Sequence, residues 1–229
     1  MKRFYQEAKA VLKDGGWHIE LDGRPVRTPQ RAALVLPTET MARAIAEEWD
    51  RQDEMIDPAG MPFTGIANAA IDHVAADRAG FAAGIAAFGE NDLLCYRAST
   101  PDKLVARQCK VWDPLLDWAR KRFDVAFELT DGIMHVTQPE PTLGALRAAL
   151  DAQDDFALAA AQPITTITGS LIITLALIER EIDVDMAWEA GQLDDLYAQD
   201  TWGIDDEAQQ DLSRRRRQLG DAAAFLELR

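Results

Sequence analysis

The chain has 229 residues, of which 48% are hydrophobic and 28% charged, a composition typical of a globular protein with a substantial core. With 24 basic and 39 acidic residues its formal net charge is −15, which argues against nucleic acid and anionic membrane surfaces as partners, because both would repel it. Cys95 and Cys109 form no Cys-x-x-Cys pair, so we expect no dependence on disulfides and a reducing compartment.

The first 36 residues predict short antiparallel strands. Residues 17–21 alternate between apolar and polar side chains, which is the period of a half-buried strand. The turns Asp14-Gly15-Gly16 and Asp22-Gly23 bound this segment, because glycine tolerates the positive φ angles of a tight hairpin. The other predicted strands are 4–13, 24–28 and 33–36.

After residue 36 the hydrophobic period becomes helical. Thr38 is the predicted N-cap of a helix that ends before the break at Asp57-Pro58 and Gly60. One hairpin, made of 125–129 and 133–136 around a turn at Asp131-Gly132, interrupts the later helices. Those helices are predicted at 66–74, 81–88, 104–123, 142–150, 152–160, 164–181, 185–198 and 205–229.

This order of elements predicts an α+β fold. An N-terminal domain with the antiparallel sheet would cover residues 1–78, and a mainly helical C-terminal domain would cover residues 79–229. The hairpin 125–136 is a candidate to join the N-terminal sheet. The most apolar segment, 164–178, is broken by threonines and too short to span a membrane, so we interpret it as a buried core helix and expect no membrane insertion.

The sequence contains no motif for a cofactor. There is no phosphate-binding loop and no dinucleotide-binding glycine pattern. The three histidines, His18, His73 and His135, lie on different predicted elements with no second ligand one helical turn away, which argues against a metal site. Adjacent acids such as Glu47 and Glu48 point about 100° apart on a helix and are better explained as solvated residues than as catalytic pairs. We therefore predict no cofactor, no metal and no catalytic residue.

An acidic stretch near the C-terminus, residues 183–213, holds ten carboxylates and no lysine or arginine. Large apolar side chains are interspersed among the acids, which a disordered acidic tail would lack. Two interpretations stay open: a folded docking surface for a protein, or a solvated helix face of an acidic protein. The four arginines that follow, Arg214–Arg217, are interpreted as partners for nearby acids.

One segment, residues 46–58 with 61–64, resembles a family of ATP synthase assembly chaperones. It reads AEEWDRQDEMIDP followed by MPFT, where members carry a similar Glu-Trp-Asp-x-Gln, a proline and a Met-Pro-Leu-Thr-like stretch. Further blocks resemble the same family in the same order, so the resemblance extends over residues 3–225. These blocks are 21–24 with 28–29, 92–97, 112–115, 193–197 and 202–203.

The resemblance implies a non-enzymatic chaperone that binds the unassembled alpha subunit of the catalytic head until the beta subunit replaces it. It also implies the bacterial cytoplasm for this chain, as against the mitochondrial matrix for eukaryotic relatives, because we see neither a secretory signal nor a presequence. We expect a monomer when the chaperone is free. One departure is that residues 205–208 lack the histidine that relatives carry after their Trp-Gly pair.

Two groups of residues are the candidate partner-binding site. Trp49 ends an apolar helical stripe, so burial in the core is favoured over exposure, although tryptophan is also enriched at binding hot spots. The first group is Glu48, Trp49, Asp50 and Glu54, and the second is Asp194, Asp195, Tyr197 and Trp202.

Asp194, Asp195 and Tyr197 of the second group are predicted to lie on the single helix 185–198. Met186, Ala190, Leu193 and Tyr197 fall at helical spacing and would form one apolar stripe facing the core. Asp194 would then point away from the core and be exposed.

The alternative to a chaperone is an enzyme that acts on a small molecule through acidic residues in a cleft between the two domains. A third possibility is an acidic scaffold for another basic protein. A buried carboxylate pair beside a pocket would favour the enzyme.

Overall fold

The computed structural model describes residues 1–132, 134–203 and 205–229, and it confirms the predicted α+β fold. Its contacts divide the chain into two units, which combine segments that are distant in sequence. The first unit is 1–78, 155–160 and 221–229, and the second is 79–154 and 161–220. Whether 1–78 and 79–229 are separate domains stays a prediction.

The first unit contains a small antiparallel sheet centred on β2. Strand β1 (Ala8–Lys13) pairs with β2 (Gly16–Leu21), while β3 (Arg24–Pro25) and β4 (Val35–Leu36) both pair with β2. Except for β2, which is one residue longer than predicted, the strands are shorter than predicted, and both Asp-Gly turns are confirmed.

Each of these turns is a two-residue hairpin loop. Asp14 and Gly15 have φ angles of 52° and 82°, and Asp22 and Gly23 have 48° and 77°. Positive φ at both loop positions is the geometry that matches the twist of adjacent strands, and Asp-Gly is a preferred pair for it.

Helix α1 (Glu39–Asp50) packs against this sheet. It begins where predicted, because the Thr38 hydroxyl accepts a hydrogen bond of 3.2 Å from the Met41 amide. The predicted break is confirmed as a 3₁₀ turn at Pro58–Gly60. Helix α2 (Pro62–Ala69) follows and continues as a π-helical turn at Ala70–Val74.

Most of the other described helices are longer or differently divided than predicted, and the last one is slightly shorter than predicted. Short 3₁₀ turns lie at Ala87–Asn91 and Leu93–Cys95. The helices are α3 (Arg78–Ala86), α4 (Asp102–Phe123), α5 (Glu140–Asp151), α6 (Asp155–Thr168), α7 (Leu171–Ile178), α8 (Val184–Gly191), α9 (Leu193–Trp202) and α10 (Asp206–Glu227).

The predicted hairpin at 125–136 is wrong in the described residues. Its only strand is β6 (Thr130–Asp131), which pairs in parallel with β5 (Tyr96–Arg97) instead of joining the N-terminal sheet. Side chains occupy the backbone groups that a partner strand would need. Gln138 bonds both the amide and the carbonyl of Glu128, at 3.1 and 2.8 Å. Ile133, which belongs to the predicted hairpin, lies outside the described residues.

The core helix predicted at 164–181 is divided differently. Helix α6 passes through Pro163, and the break comes at Gly169, whose φ of +66° lies in the left-handed region that glycine tolerates. Ser170 is not inside a helix but is the N-cap of α7, since its hydroxyl accepts a 3.0 Å hydrogen bond from the Ile173 amide. No helix in the described ranges combines the length and apolarity that a membrane crossing requires.

Helix α7 is the core of the second unit, because all eight of its side chains are buried. It packs against α4, α5 and α8. Because the first turn of α7 is buried, its amides need acceptors within the protein, and the buried carboxylate of Asp92 supplies one, with 3.0 Å between Oδ2 and the Ile172 nitrogen. Burial raises the pKa of Asp92 from its usual 3.8 to about 6, although hydrogen bonds from Ile172, Ser170 and Leu94 oppose that rise.

This buried carboxylate predicts a pH-dependent contribution to stability. An acid whose pKa is raised by folding binds its proton more tightly in the native state, so the stabilisation is complete below about pH 4 and is lost as pH rises through about 6. Asp92→Asn cannot titrate. The unfolding free energy of wild type minus that of the variant should therefore fall by up to about 3 kcal/mol between pH 4 and pH 7.

Urea titrations at a series of pH values measure this difference. At neutral pH we expect Asp92→Asn to destabilise by about 1–3 kcal/mol, because an amide offers only one oxygen to the α7 amides. The control is Asp102→Asn, the same chemical change on the exposed first turn of α4, which should cost at most about 1 kcal/mol. If the difference in unfolding free energy between wild type and Asp92→Asn does not change with pH, the raised pKa of Asp92 is contradicted.

Candidate functional site

Most of the acidic stretch lies on two helices, α8 and α9, that are fixed to α4, and its last part lies on α10. Trp112 of α4 is fully buried, and its indole nitrogen donates a 2.9 Å hydrogen bond to the carbonyl of Ala190 in α8. Gln108, one turn earlier on α4, donates a 2.8 Å hydrogen bond from Nε2 to Oδ1 of Asp194 in α9. The position of the acidic surface is therefore set by side chains of α4.

The single helix predicted for 185–198 is wrong, because α8 ends at Gly191 and α9 begins at Leu193. Gly191 lies directly against Thr168, and a Cβ at this glycine would be only 2.8 Å from the Thr168 Cβ. The side-chain nitrogen Nε2 of Gln192 donates a hydrogen bond of 2.7 Å to the Ile167 carbonyl, which fixes the break.

Because of this break, the predicted apolar stripe is not continuous. Ala190 and Leu193 are buried as predicted, but Met186 is 53% exposed and Tyr197 is half-buried. Met186 thus adds an apolar side chain to the surface, where the sequence pattern placed it in the core.

Asp194 and Asp195 are both exposed in the first turn of α9. This placement suits carboxylates, since the positive end of the helix dipole lies there. One Asp194 oxygen is held by Gln108, whose own Oε1 accepts a 2.8 Å hydrogen bond from the Ala98 amide. The predicted outward orientation of Asp194 is confirmed.

Trp202 is the last residue of α9 and is 78% exposed. Gly203 follows it with a φ of 80°, so the chain turns away immediately after the tryptophan. An indole this exposed contributes little to folding, and tryptophan is among the residues most enriched at binding hot spots.

The arginines after the acidic stretch neutralise part of it. Arg216 pairs with Asp185, and Asp211 accepts from both Arg214 and Arg215. The predicted pairing of these arginines with nearby acids is confirmed. Arg107 of α4 also pairs with Asp200, at 2.9 Å.

Glu48 in the first unit has an internal role. Its carboxylate is buried and accepts hydrogen bonds from the amides of Phe63 and Thr64 and from the Thr64 hydroxyl, each at 2.7 Å. It thus caps the N-terminus of α2. Burial raises the pKa of Glu48, the bonds from Thr64 and Phe63 oppose the rise, and the charge of Asp221 adds to it. We do not retain Glu48 in the partner-binding surface, because its oxygens are already occupied.

Trp49 is half-buried, as its place on the apolar stripe suggests. It packs against a cluster formed by Tyr5, Leu21, Ile56 and Met61, and its ring meets Tyr5 edge-on with 5.8 Å between centroids. Its indole nitrogen is buried without a hydrogen-bond partner in the described part of the chain.

Asp50 and Glu54 are exposed. Asp50 forms a long ion pair of 3.5 Å with Arg3, and the Glu54 carbonyl accepts from the Arg3 amide at 2.8 Å.

The two predicted groups belong to different units. Glu48, Trp49, Asp50 and Glu54 lie in the first unit, and Asp194, Asp195, Tyr197 and Trp202 lie in the second.

Comparisons with known proteins identify the family. The family described as ATP12 chaperone protein matches residues 2–120, more than half of the chain. The chain belongs to the ATP12 chaperone family. The resemblance to ATP synthase assembly chaperones that its motifs indicated is thereby confirmed.

Individual members of the ATP12 chaperone family support this membership. The crystal structure of Atp12 from Paracoccus denitrificans has a TM-score of 0.94 and 40% sequence identity, covering 99% of this chain and 97% of that one. A lysine-for-aspartate mutant of P. denitrificans Atp12p has the same TM-score and coverage at 39% identity. Protein atp12, mitochondrial, from Schizosaccharomyces pombe is 24% identical over 88% of this chain and 74% of its own length.

Membership of the ATP12 family makes this chain a chaperone rather than an enzyme, so the alternative of a small-molecule enzyme is set aside. Within the described residues, no group of three or more His, Cys, Asp or Glu side chains is arranged to hold a metal ion.

The sequence missed the residues that position the acidic surface. Gln108 and Trp112 lie on α4, about 80 residues before the groups they bond. The only sequence signal is that Trp112 belongs to the family-like block 112–115, which gives no hint of its partner.

Trp49 allows a direct test of core against surface. Trp49→Ala should destabilise by about 2–3 kcal/mol, at the low end for a large-to-small change because the ring is only half-buried. Trp49→Phe keeps most of the packing and removes the unpaired N–H, so it should stay within about 1 kcal/mol of wild type. Thermal and urea unfolding measure both values. An unchanged melting temperature for Trp49→Ala, with weaker partner binding, would instead make Trp49 a contact residue.

Proposed function

We propose that this protein is an assembly chaperone of the F-type ATP synthase that binds the unassembled alpha subunit of the catalytic head until the beta subunit replaces it. Membership of the ATP12 family and the residue blocks that resemble alpha-subunit chaperones support the proposal. Its expected place of action is the bacterial cytoplasm, and we expect a monomer when it is free. Its partner is a protein, with no nucleic acid and no membrane insertion.

The observation that carries the proposal is the surface of α9 formed by Asp194, Asp195, Tyr197 and Trp202, of which Tyr197 is half-buried and the other three are exposed. Two adjacent carboxylates lie at one end of this helix, and an indole that is 78% exposed lies at the other. A solvated helix face would explain the acids but not the exposed tryptophan. Charge that attracts a basic surface, combined with an aromatic anchor, is the composition of a protein-binding surface.

Ion pairs within the chain show which acids of the acidic stretch already have a partner. Asp185, Asp200 and Asp211 are paired with arginines of the chain itself, so their charge is already balanced. Asp195 forms no ion pair within the described part of the chain, and Asp194 receives only a neutral amide. Asp194 and Asp195 therefore keep two adjacent negative charges at the start of α9, where a basic group of the alpha subunit would be attracted.

Charge reversal at these two acids tests the proposal. Asp194→Lys and Asp195→Lys should each weaken capture of the purified alpha subunit at least about tenfold, since losing one partner of an interfacial charge pair costs more than about 1.4 kcal/mol. Both should leave the melting temperature nearly unchanged, because exposed substitutions usually change stability by about 0.5 kcal/mol or less. Asp195→Lys is the cleaner variant, since Asp194→Lys also removes the bond to Gln108.

The matched control is Glu128→Lys, an exposed acid of the same unit with the same change of charge. It should capture the alpha subunit like wild type, and the contrast between the variants should grow at low salt, where screening is weaker. Binding is measured by biolayer interferometry with immobilised alpha subunit and competition by the beta subunit. Equal capture by Asp194→Lys, Asp195→Lys and wild type at low salt would rule out this surface. Absence of any capture by wild type would refute the function.

A further inference from the structure

A groove in the second unit lies between α4 and the residues leading into and along α8. Its volume is about 520 Å³. The apolar side chains that line it come from both walls: Leu115 and Trp118 from α4, and Ile182 and Met186 from the segment around α8. None of the residues in the two predicted site groups lines this groove.

Met186 makes the groove unlike an ordinary crevice between packed helices. Its side chain is 53% exposed at the α8 wall, although it follows the apolar pattern of a core residue. An unbranched, polarisable side chain that is left exposed adapts its shape to a partner and is favoured at protein-binding surfaces. Trp118, half-buried on the opposite wall, adds an aromatic ring.

Charged side chains of opposite sign lie on the two walls of the groove. Lys110 lies on the α4 wall, whereas Glu189 of α8 and Glu181, three residues before α8, lie on the opposite wall, and all three are exposed. In the part of the chain that the structure describes, none of the three forms an ion pair within 4.0 Å. Arg107, also on the α4 wall, is already held by Asp200. The groove therefore presents one unpaired cation on one side and two unpaired anions on the other.

We propose that this groove binds an amphipathic helix of the chaperone's protein client, with an acidic residue opposite Lys110 and a basic residue opposite Glu189. The charges on the two walls carry the proposal, because only an occupant with complementary charges on its two flanks satisfies both. Identifying that client as the alpha subunit rests on the function proposed above.

The dimensions of the groove favour a helix as the occupant. A third helix packs into the groove between two others at about 8–10 Å, with anchors at i, i+3 or i+4, and i+7. Helix α8 spans Val184–Gly191, about 12 Å, which matches two turns of an occupant. No strand edge lines the groove, so strand addition is not available here.

A charge exchange across the groove tests the proposal without changing the net charge. The double variant Lys110→Glu/Glu189→Lys should weaken capture of the purified alpha subunit at least about tenfold, because it places like charges against both flanks of the bound helix. Long-range attraction should be unaffected, since the protein keeps its charge of −15. The control exchange is Lys103→Glu/Glu128→Lys, which uses two exposed residues outside the groove and should bind like wild type.

A cross-linking experiment locates the occupant. Cys109 is exposed, whereas Cys95 is buried, and burial together with the nearby Asp92 charge raises the Cys95 thiol pKa to about 12, so it does not react with maleimides. In a Cys109→Ser background, Met186→Cys therefore gives a single site for benzophenone maleimide. Illumination of its complex with the alpha subunit should give one main cross-link, to a segment with apolar residues at helical spacing. A label at Asp117→Cys, exposed on α4 outside the groove, should give little.

The outcomes separate this proposal from the proposed function. If wild type captures the alpha subunit and the groove exchange and cross-linking show no effect, the groove proposal is wrong and the α9 surface alone remains. A small molecule retained at the groove, seen by native mass spectrometry of protein purified from its own cells, with capture unchanged in the exchange variant, would also overturn it. If wild type captures no alpha subunit, both proposals fail.

Discussion

Helix α7 imposes the constraint on which the second unit depends. All eight side chains of Leu171–Ile178 are buried, so neighbouring elements must cover it on every side. Its first amides must then bond within the protein, and the buried carboxylate of Asp92 together with the Ser170 hydroxyl provides those bonds. A charged group in such a place is costly, as the raised pKa of Asp92 shows. Removing the carboxylate would leave buried donors unpaired, so the arrangement is stable only as a whole.

Helix α4 transmits this constraint from the core to the surface. It packs against α7, and its Trp112 and Gln108 hold α8 and α9 by hydrogen bonds to Ala190 and Asp194. The same helix forms one wall of the groove that Met186 faces. The acidic surface and the groove therefore share one support. A substitution inside α4 that shifts Trp112 would disturb both the acidic surface and the groove.

The sequence predicted the features that depend on local chemistry. The Asp-Gly turns, the Thr38 cap and the exposure of Asp194 follow from backbone preferences and helical spacing, and all are observed. It failed where distant residues decide the outcome. The end of α8 depends on contact between Gly191 and Thr168, and the missing hairpin depends on Gln138, whose side chain occupies the backbone of residue 128. Glu48 looked like a surface acid because nothing local shows that it caps α2. No pattern in the sequence indicated the groove for the same reason, since the groove forms only when α4 and α8 lie side by side.

A chaperone that holds a subunit and then gives it up needs binding that is specific without being too tight. The proposed contacts fit that requirement. The free carboxylates at the start of α9 are exposed, so they accelerate and orient association more than they add affinity. The groove contributes apolar area through Met186, a side chain that adapts without being fixed in one rotamer. In the proposed exchange of the alpha subunit to the beta subunit, several modest contributions of this kind would sum to a stable complex, and each would be lost separately as the beta subunit replaces the chaperone. A single deep and rigid site would bind more tightly, but it would have to be vacated in one step.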